Sequence, residues 1–126
     1  MIRYQYNRQV DPPGPFVHVN IKRLDASGAF ATVPALVDSG ADKTVVPQSL
    51  IEELALAQAG LVEAAGLNQI GVLMPVYVVQ IGIRDTSPVV VEVIGALGEQ
   101  HVLLGRDVLN RHRVTLDGPQ LLCIIE

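Results

Sequence analysis

Asp38 opens the segment Asp38-Ser39-Gly40-Ala41 and follows directly on an apolar run, Val33-Pro34-Ala35-Leu36-Val37. Such a run reads as a buried strand, and Ser-Gly straight after an acid supplies turn chemistry. The pattern therefore brings a carboxylate to the end of a strand and holds it in a turn. A carboxylate placed there can give or take a proton, which is general acid or base work. An Asp-Ser-Gly turn alone is ordinary between strands, so its context has to carry the reading. A second pattern, Val102-Leu103-Leu104-Gly105-Arg106-Asp107, stands further along the chain and reads as a strand ended by glycine and running into a helix.

The other reactive side chains are less well placed. His18, His101 and His112 show no metal-ligand spacing, and no metal is expected. His112 reads as a partner for the carboxyl end of a short helix, where a cation favours the dipole. Ser39 used as a nucleophile would need a histidine that nothing in the sequence identifies. Cys123 lies in an apolar run with no cation beside it, so it reads as a small buried hydrophobe and not as a nucleophile.

The elements that must position Asp38 are legible as alternation and punctuation. Asp11-Pro12-Pro13-Gly14-Pro15 is a stiff break that neither a helix nor a central strand can contain. It divides the chain into an N-terminal arm, residues 1–15 with the break, and one domain, residues 16–126. Phe16-Val17-His18-Val19-Asn20-Ile21-Lys22 alternates apolar and polar side chains, residues 29–37 do so loosely, and Asp25-Ala26-Ser27-Gly28 supplies a turn between them. This predicts a β-hairpin feeding the Asp38 turn. Residues 47–55 start with proline and space Leu50, Ile51 and Leu54 at helical intervals. Residues 60–82 return to strand character, with 65–69 as a loop tip and Pro75 marking an edge or bulge. Further strands are expected at 88–94 and 101–104, a two-turn helix at 106–113, and a terminal hairpin over 114–125 around Gly118-Pro119.

Composition bounds the function. The 126 residues are 49% apolar and 17% charged, the profile of one globular domain and not of a disordered tail. A formal charge of −4 and the lack of any basic cluster beyond Lys22-Arg23 argue against binding nucleic acid. Residues 1–8 have no apolar signal core, and charges interrupt the apolar stretches too early for a membrane span. A single cysteine makes no internal disulfide, which suits a reducing compartment. A soluble, cytoplasmic protein is expected.

Together the Asp-Ser-Gly-Ala and Leu-Leu-Gly-Arg-Asp patterns, in this order, resemble the retropepsin family of retroviral-type aspartic proteases, in a single-lobe cellular or bacterial form. The resemblance covers residues 16–117. It implies an all-β, single-lobe barrel with one or two short helices and a flap hairpin, forming a homodimer. Pepsin-like enzymes carry two copies of the acid-bearing unit in one chain; this chain carries one. The resemblance therefore implies an aspartic endopeptidase in which Asp38 of each subunit activates water, with no cofactor and an extended peptide as substrate. The alternative is a catalytically silent dimerisation or peptide-binding module of the same fold.

The same resemblance suggests roles for the neighbouring residues. Ser39 would brace the acid loop across the dimer, Gly40 would let substrate backbone approach, and Ala41 would keep the entrance narrow. Asp42 would bind substrate backbone and form a structural ion pair with Arg106. Gly66, Leu67 and Ile70 of the flap would touch substrate, although the flap segment 64–71 holds only two glycines, fewer than retroviral flaps have. Val46, Ile70 and Val102 are expected as walls of apolar substrate pockets. Either residues 1–10 or the strand 120–125 would interleave with a partner subunit.

Overall fold

The computed structural model describes residues 1–65 and 71–126. The chain runs through β1 (Ile2–Gln5), β2 (Phe16–Lys22), β3 (Phe30–Val37), β4 (Val45–Pro47), α1 (Gln48–Glu53), β5 (Gly60–Ala64), β6 (Val72–Ile83), β7 (Val89–Ala96), β8 (Val102–Leu104), α2 (Arg106–Leu109), β9 (Val114–Asp117) and β10 (Leu122–Ile125). Strands β2, β3, β8, β4, β7 and β6 are paired in that order, and β2 pairs again with β6. The six described strands thus close a ring, a mostly-β barrel with two short helices.

Alternation in the sequence becomes the inside and outside of this barrel. On β2, Val17, Val19 and Ile21 are fully buried while His18, Asn20 and Lys22 face out. They meet Val79, Ile81 and Ile83 of β6, Ala35 of β3, Val93 of β7 and Leu104 of β8 in one core. Burying each of these side chains contributes about 1.5–3 kcal/mol relative to leaving it exposed. The turn between β2 and β3 forms as its residues dictate: the Asp25 carboxylate accepts from the Ser27 amide at 3.0 Å, and Gly28 takes a positive φ of 64°.

Strand β6 has two uses. Its first part pairs with β5 to make a hairpin beyond the barrel, and its later part pairs with β7 and β2 inside it. Pro75 sits opposite Leu61 of β5, one residue before the pairing with β7 begins at Val76. Its missing N–H therefore falls at an edge, as the sequence suggested. Residues 66–70, at the end of this hairpin, lie outside the described residues.

One expectation needs correction. The helix expected over 106–113 ends at Leu109, because Arg113 exchanges backbone hydrogen bonds with Glu126 at 3.1 and 2.9 Å. That exchange extends the β9–β10 ladder and requires Arg113 to be extended. His112 accordingly lies beyond the helix and not in its last turn. Within the chain the two ends pair with each other: β1 and β9 flank β10 in a three-stranded antiparallel sheet. Ile2, Ile125 and Val114 are register partners across it, and Ile125 is only 1% exposed.

This docking predicts a contrast within one sheet. Ile125→Ala is expected to cost about 2–5 kcal/mol through lost contacts and a cavity. Leu116→Ala, at a position that is half exposed, should stay within about 0.5 kcal/mol. Urea unfolding of the two variants checks it, and equal losses would mean that the terminal sheet does not pack as described.

Candidate active site

Strands β3 and β8 run parallel, with Leu36 opposite Leu103 and Val37 opposite Leu104. The ladder continues for one more residue, since the Asp38 amide donates to the Leu104 carbonyl at 3.0 Å. Asp38 and Gly105 therefore leave the sheet side by side. This adjacency is why two patterns so far apart in the chain belong to one site.

Past Asp38 the chain turns sharply. The Ala41 amide donates to the Asp38 carbonyl at 3.2 Å, and the Gly40 amide donates to Asp38 Oδ1 at 3.1 Å. A Cβ at residue 40 would sit 3.3 Å from that same carboxylate oxygen, so glycine lets the carboxylate fold over its own turn. Asp38 stays half-buried, with Ser39 and Gly40 exposed beside it.

The loop is held from below by the segment after β8. The Arg106 amide donates to the Ala41 carbonyl at 2.8 Å, and Arg106 Nη1 donates to the Ser39 carbonyl at 2.7 Å. The Thr44 hydroxyl donates to Asp107 Oδ1 at 2.8 Å, and the Thr44 amide donates to Asp107 Oδ2 at 3.0 Å. The Gly105 amide donates in turn to Thr44 Oγ1 at 3.1 Å. Thr44 is fully buried, so these partners replace the water that its hydroxyl and amide would otherwise bind. Gly105 has to be glycine for a packing reason: a Cβ there would come within 2.7–2.9 Å of the Lys43 and Thr44 backbone.

The expected partner of Arg106 is different. Among the described residues the ion pair formed is that of Arg23 with Asp25; the Arg106 guanidinium goes to the Ser39 carbonyl, and Asp42 is left exposed. With its own amide fixed to the Ala41 carbonyl, Arg106 has its side chain directed beneath the acid turn, where a carbonyl is the acceptor it meets. Its support of the loop thus runs through backbone oxygens and not through the Asp42 carboxylate.

Asp42 does face the cleft between the acid loop and the β5–β6 hairpin. That cleft, about 270 Å³, is lined from below by Gly40, Ala41, Asp42 and Val45 and from above by Val62 and Glu63. The expected flap contacts Gly66, Leu67 and Ile70 lie outside the described residues. Val46 and Val102 are not cleft walls, because they are 0% and 1% exposed inside the barrel core. A strand shows successive side chains to opposite faces, so it is Val45, next to Val46, that reaches the cleft. Cys123 is fully buried, and burial pushes its thiol up from the ordinary value, away from the reactive thiolate.

Reading the sequence identified Asp38 and Arg106 but assigned nothing to Thr44 or Asp107. The available signal was the polar Thr44 leading into the apolar pair Val45-Val46; a threonine there is either exposed or buried with partners, and only a distant acceptor tells which.

The clamp predicts a graded loss of stability. Asp107→Ala strands the Thr44 amide and hydroxyl and should cost about 2–3 kcal/mol, whereas Asp107→Asn keeps one acceptor and should cost about 1 kcal/mol. Gly105→Ala should cost about 1–3 kcal/mol by forcing the Lys43 backbone away. Ser39→Ala, which leaves the carbonyl that Arg106 uses, should change stability by less than about 0.5 kcal/mol. Chemical denaturation of the four variants tests the order.

Comparison with known proteins agrees with this geometry. The family model of the gag-polyprotein putative aspartyl protease matches residues 26–111, a span that includes Asp38, Thr44, Arg106 and Asp107. No curated protein sequence matches the chain. Among solved structures, the foamy viral protease–reverse transcriptase aligns with 81% of this chain at 18% identity and a TM-score of 0.58; this chain spans only 12% of that one. An inhibitor complex of EIAV protease aligns over 86% of this chain and 93% of its own, with 20% identity and a TM-score of 0.56. A retropepsin-like aspartic protease from Rickettsia conorii aligns over 89% of this chain and 92% of its own, with 15% identity and a TM-score of 0.54. These similarities establish the retropepsin fold, and with the matched family model they show that the chain belongs to the gag-polyprotein putative aspartyl protease family.

Proposed function

We propose that the protein is an aspartic endopeptidase that works as a homodimer, with Asp38 from each subunit at the twofold axis. The observation that carries this reading is a half-buried carboxylate at a strand end, capped by the Gly40 amide of its own turn, with that turn tied through its backbone to the distant segment 104–106, and with one such acid in the chain. Hydrolysis of a peptide by water without a nucleophilic side chain requires one carboxylate to accept the water's proton while a second protonates the carbonyl oxygen. A single Asp38 cannot do both. A twofold axis supplies the second copy in an equivalent position, and the pair titrates as a unit, because two adjacent carboxylates do not both ionise freely.

In this mechanism the pair shares one proton. The ionised carboxylate removes a proton from water as its oxygen bonds to the carbonyl carbon, and the protonated carboxyl passes its proton to the carbonyl oxygen. Collapse of the tetrahedral intermediate breaks the C–N bond as the pair gives a proton to the leaving nitrogen and takes one from a gem-diol hydroxyl, which restores the single shared proton. Gly40 leaves space for the substrate backbone, Asp42 is placed to accept hydrogen bonds from its amides, and Val45, Val62 and Ile94 give the cleft an apolar surface. Ser39, exposed at the turn, is the residue available to brace the partner's loop.

The test is cleavage of a mixed-sequence peptide library across about pH 4–7 by wild type and Asp38→Asn at matched concentrations. Cleavage by wild type alone, along a bell-shaped pH profile and rising faster than linearly with protein concentration, is the expected outcome. Equal cleavage by both would remove Asp38 from the mechanism. Silence from both would favour a peptide-binding module on the same fold.

A further inference from the structure

We infer that the cavity on the β3–β8 side of the acid loop is a specificity pocket for a lysine or arginine side chain of a peptide, with Glu99 selecting the charged head. The inference rests on the reading above for the ligand being a peptide.

The cavity is about 440 Å³ in volume, with Phe16, Leu36 and Leu103 among its apolar walls and Val10 beside them. It opens on the catalytic side of the sheet. Leu36 lies on β3 and Asp38 one residue past its end, where the ladder to β8 continues, so the two share a face about 7 Å apart, within the reach of one long side chain. Leu103 stands opposite Leu36 in register, which makes the floor continuous across two strands. The wall is braced by the His101 ring against Phe16, with centroids 4.9 Å apart and an interplanar angle of 78°.

The mouth differs from the floor. It is formed by the segment between β7 and β8, and Glu99 is the one carboxylate among the lining residues, with no lysine or arginine there. Glu99 is exposed. An apolar floor with an anion at the rim matches side chains that carry a charged head on a long apolar stem, which are lysine and arginine. The cleft under the β5–β6 hairpin is mixed in sign, with Lys43 lining it together with Asp42 and Glu63, whereas the pocket beside Leu36 carries a carboxylate and no cation.

The test compares peptides that differ at one position, lysine against its uncharged isostere norleucine, with that position moved along an otherwise neutral extended sequence. Binding is measured by fluorescence anisotropy on the Asp38→Asn protein, which prevents turnover, and by amide chemical shifts. At the responsive position the lysine peptide should bind about threefold more tightly at low salt, with shifts concentrated at residues 98–103 and at Leu36. The preference should disappear in Glu99→Gln and in roughly 1 M salt, while norleucine binding stays the same in both. Norleucine binding as well as lysine throughout, a lysine preference that survives Glu99→Gln, or no binding of either peptide would each overturn the proposal. Incubating the same peptides with wild type separates the two claims: cleavage reports on Asp38, and the lysine-to-norleucine binding ratio reports on Glu99.

Discussion

Asp107 accepts hydrogen bonds from both the amide and the hydroxyl of Thr44, and that hydroxyl accepts one from Gly105. This buried contact joins the start of β4 to the start of α2, and the acid loop is the segment strung between β3 and that junction. Thr44 is the polar side chain among the described residues that lies fully inside the core. Leaving such a group without partners costs about 1–3 kcal/mol, so the loop has little freedom to settle elsewhere. Because Asp107 takes two hydrogen bonds from one residue, it fixes orientation as well as distance. The direction in which Asp38 leaves its strand follows from this contact as much as from β3 itself.

The barrel supplies the rest of the constraint. Parallel pairing of β3 with β8 carries Asp38 and Gly105 out of the sheet together, and antiparallel contact of Val45 with Leu103 brings the chain back over them. The close approach at Gly105 lets these crossings lie backbone against backbone. On the far side, the long strand β6 belongs both to the closed ring and to the hairpin over the cleft. The roof of the cleft is therefore an extension of the same strand that packs Val79 and Ile81 into the core. The floor and the base of the roof are built on rigid elements, which is what precise placement of a reacting group requires.

The terminal sheet brings the two ends of the chain together. β10 has neighbours on both edges within its own chain, β1 and β9, and Cys123 and Ile125 seal it onto the barrel. A partner subunit meeting this sheet encounters strands already paired at their centre. Intrachain pairing of the two ends satisfies the backbone groups on both edges of β10.

Much of this molecule was legible from local pattern. Alternation over residues 16–22 specified β2 and its inward face, the Asp25-Gly28 turn specified the hairpin, Pro75 marked an edge, and an acid after an apolar run marked the site. Each of these depends on interactions within a few residues. What the sequence left open depended on contacts between distant segments. Alternation says that Val45 and Val46 face opposite ways, but the pairing of β4 with β7 and β8 decides that Val46 is the one in the core. A guanidinium requires an acceptor, yet only the folded loop shows that Arg106 reaches the Ser39 carbonyl and not Asp42. Helical promise after Arg106 gave way at Arg113 because Glu126 offered a strand partner. Local chemistry thus determined which residues turn, alternate and carry charge, while tertiary structure decided which of them meet, since a hydrogen bond or a buried face needs a partner that the local sequence does not contain.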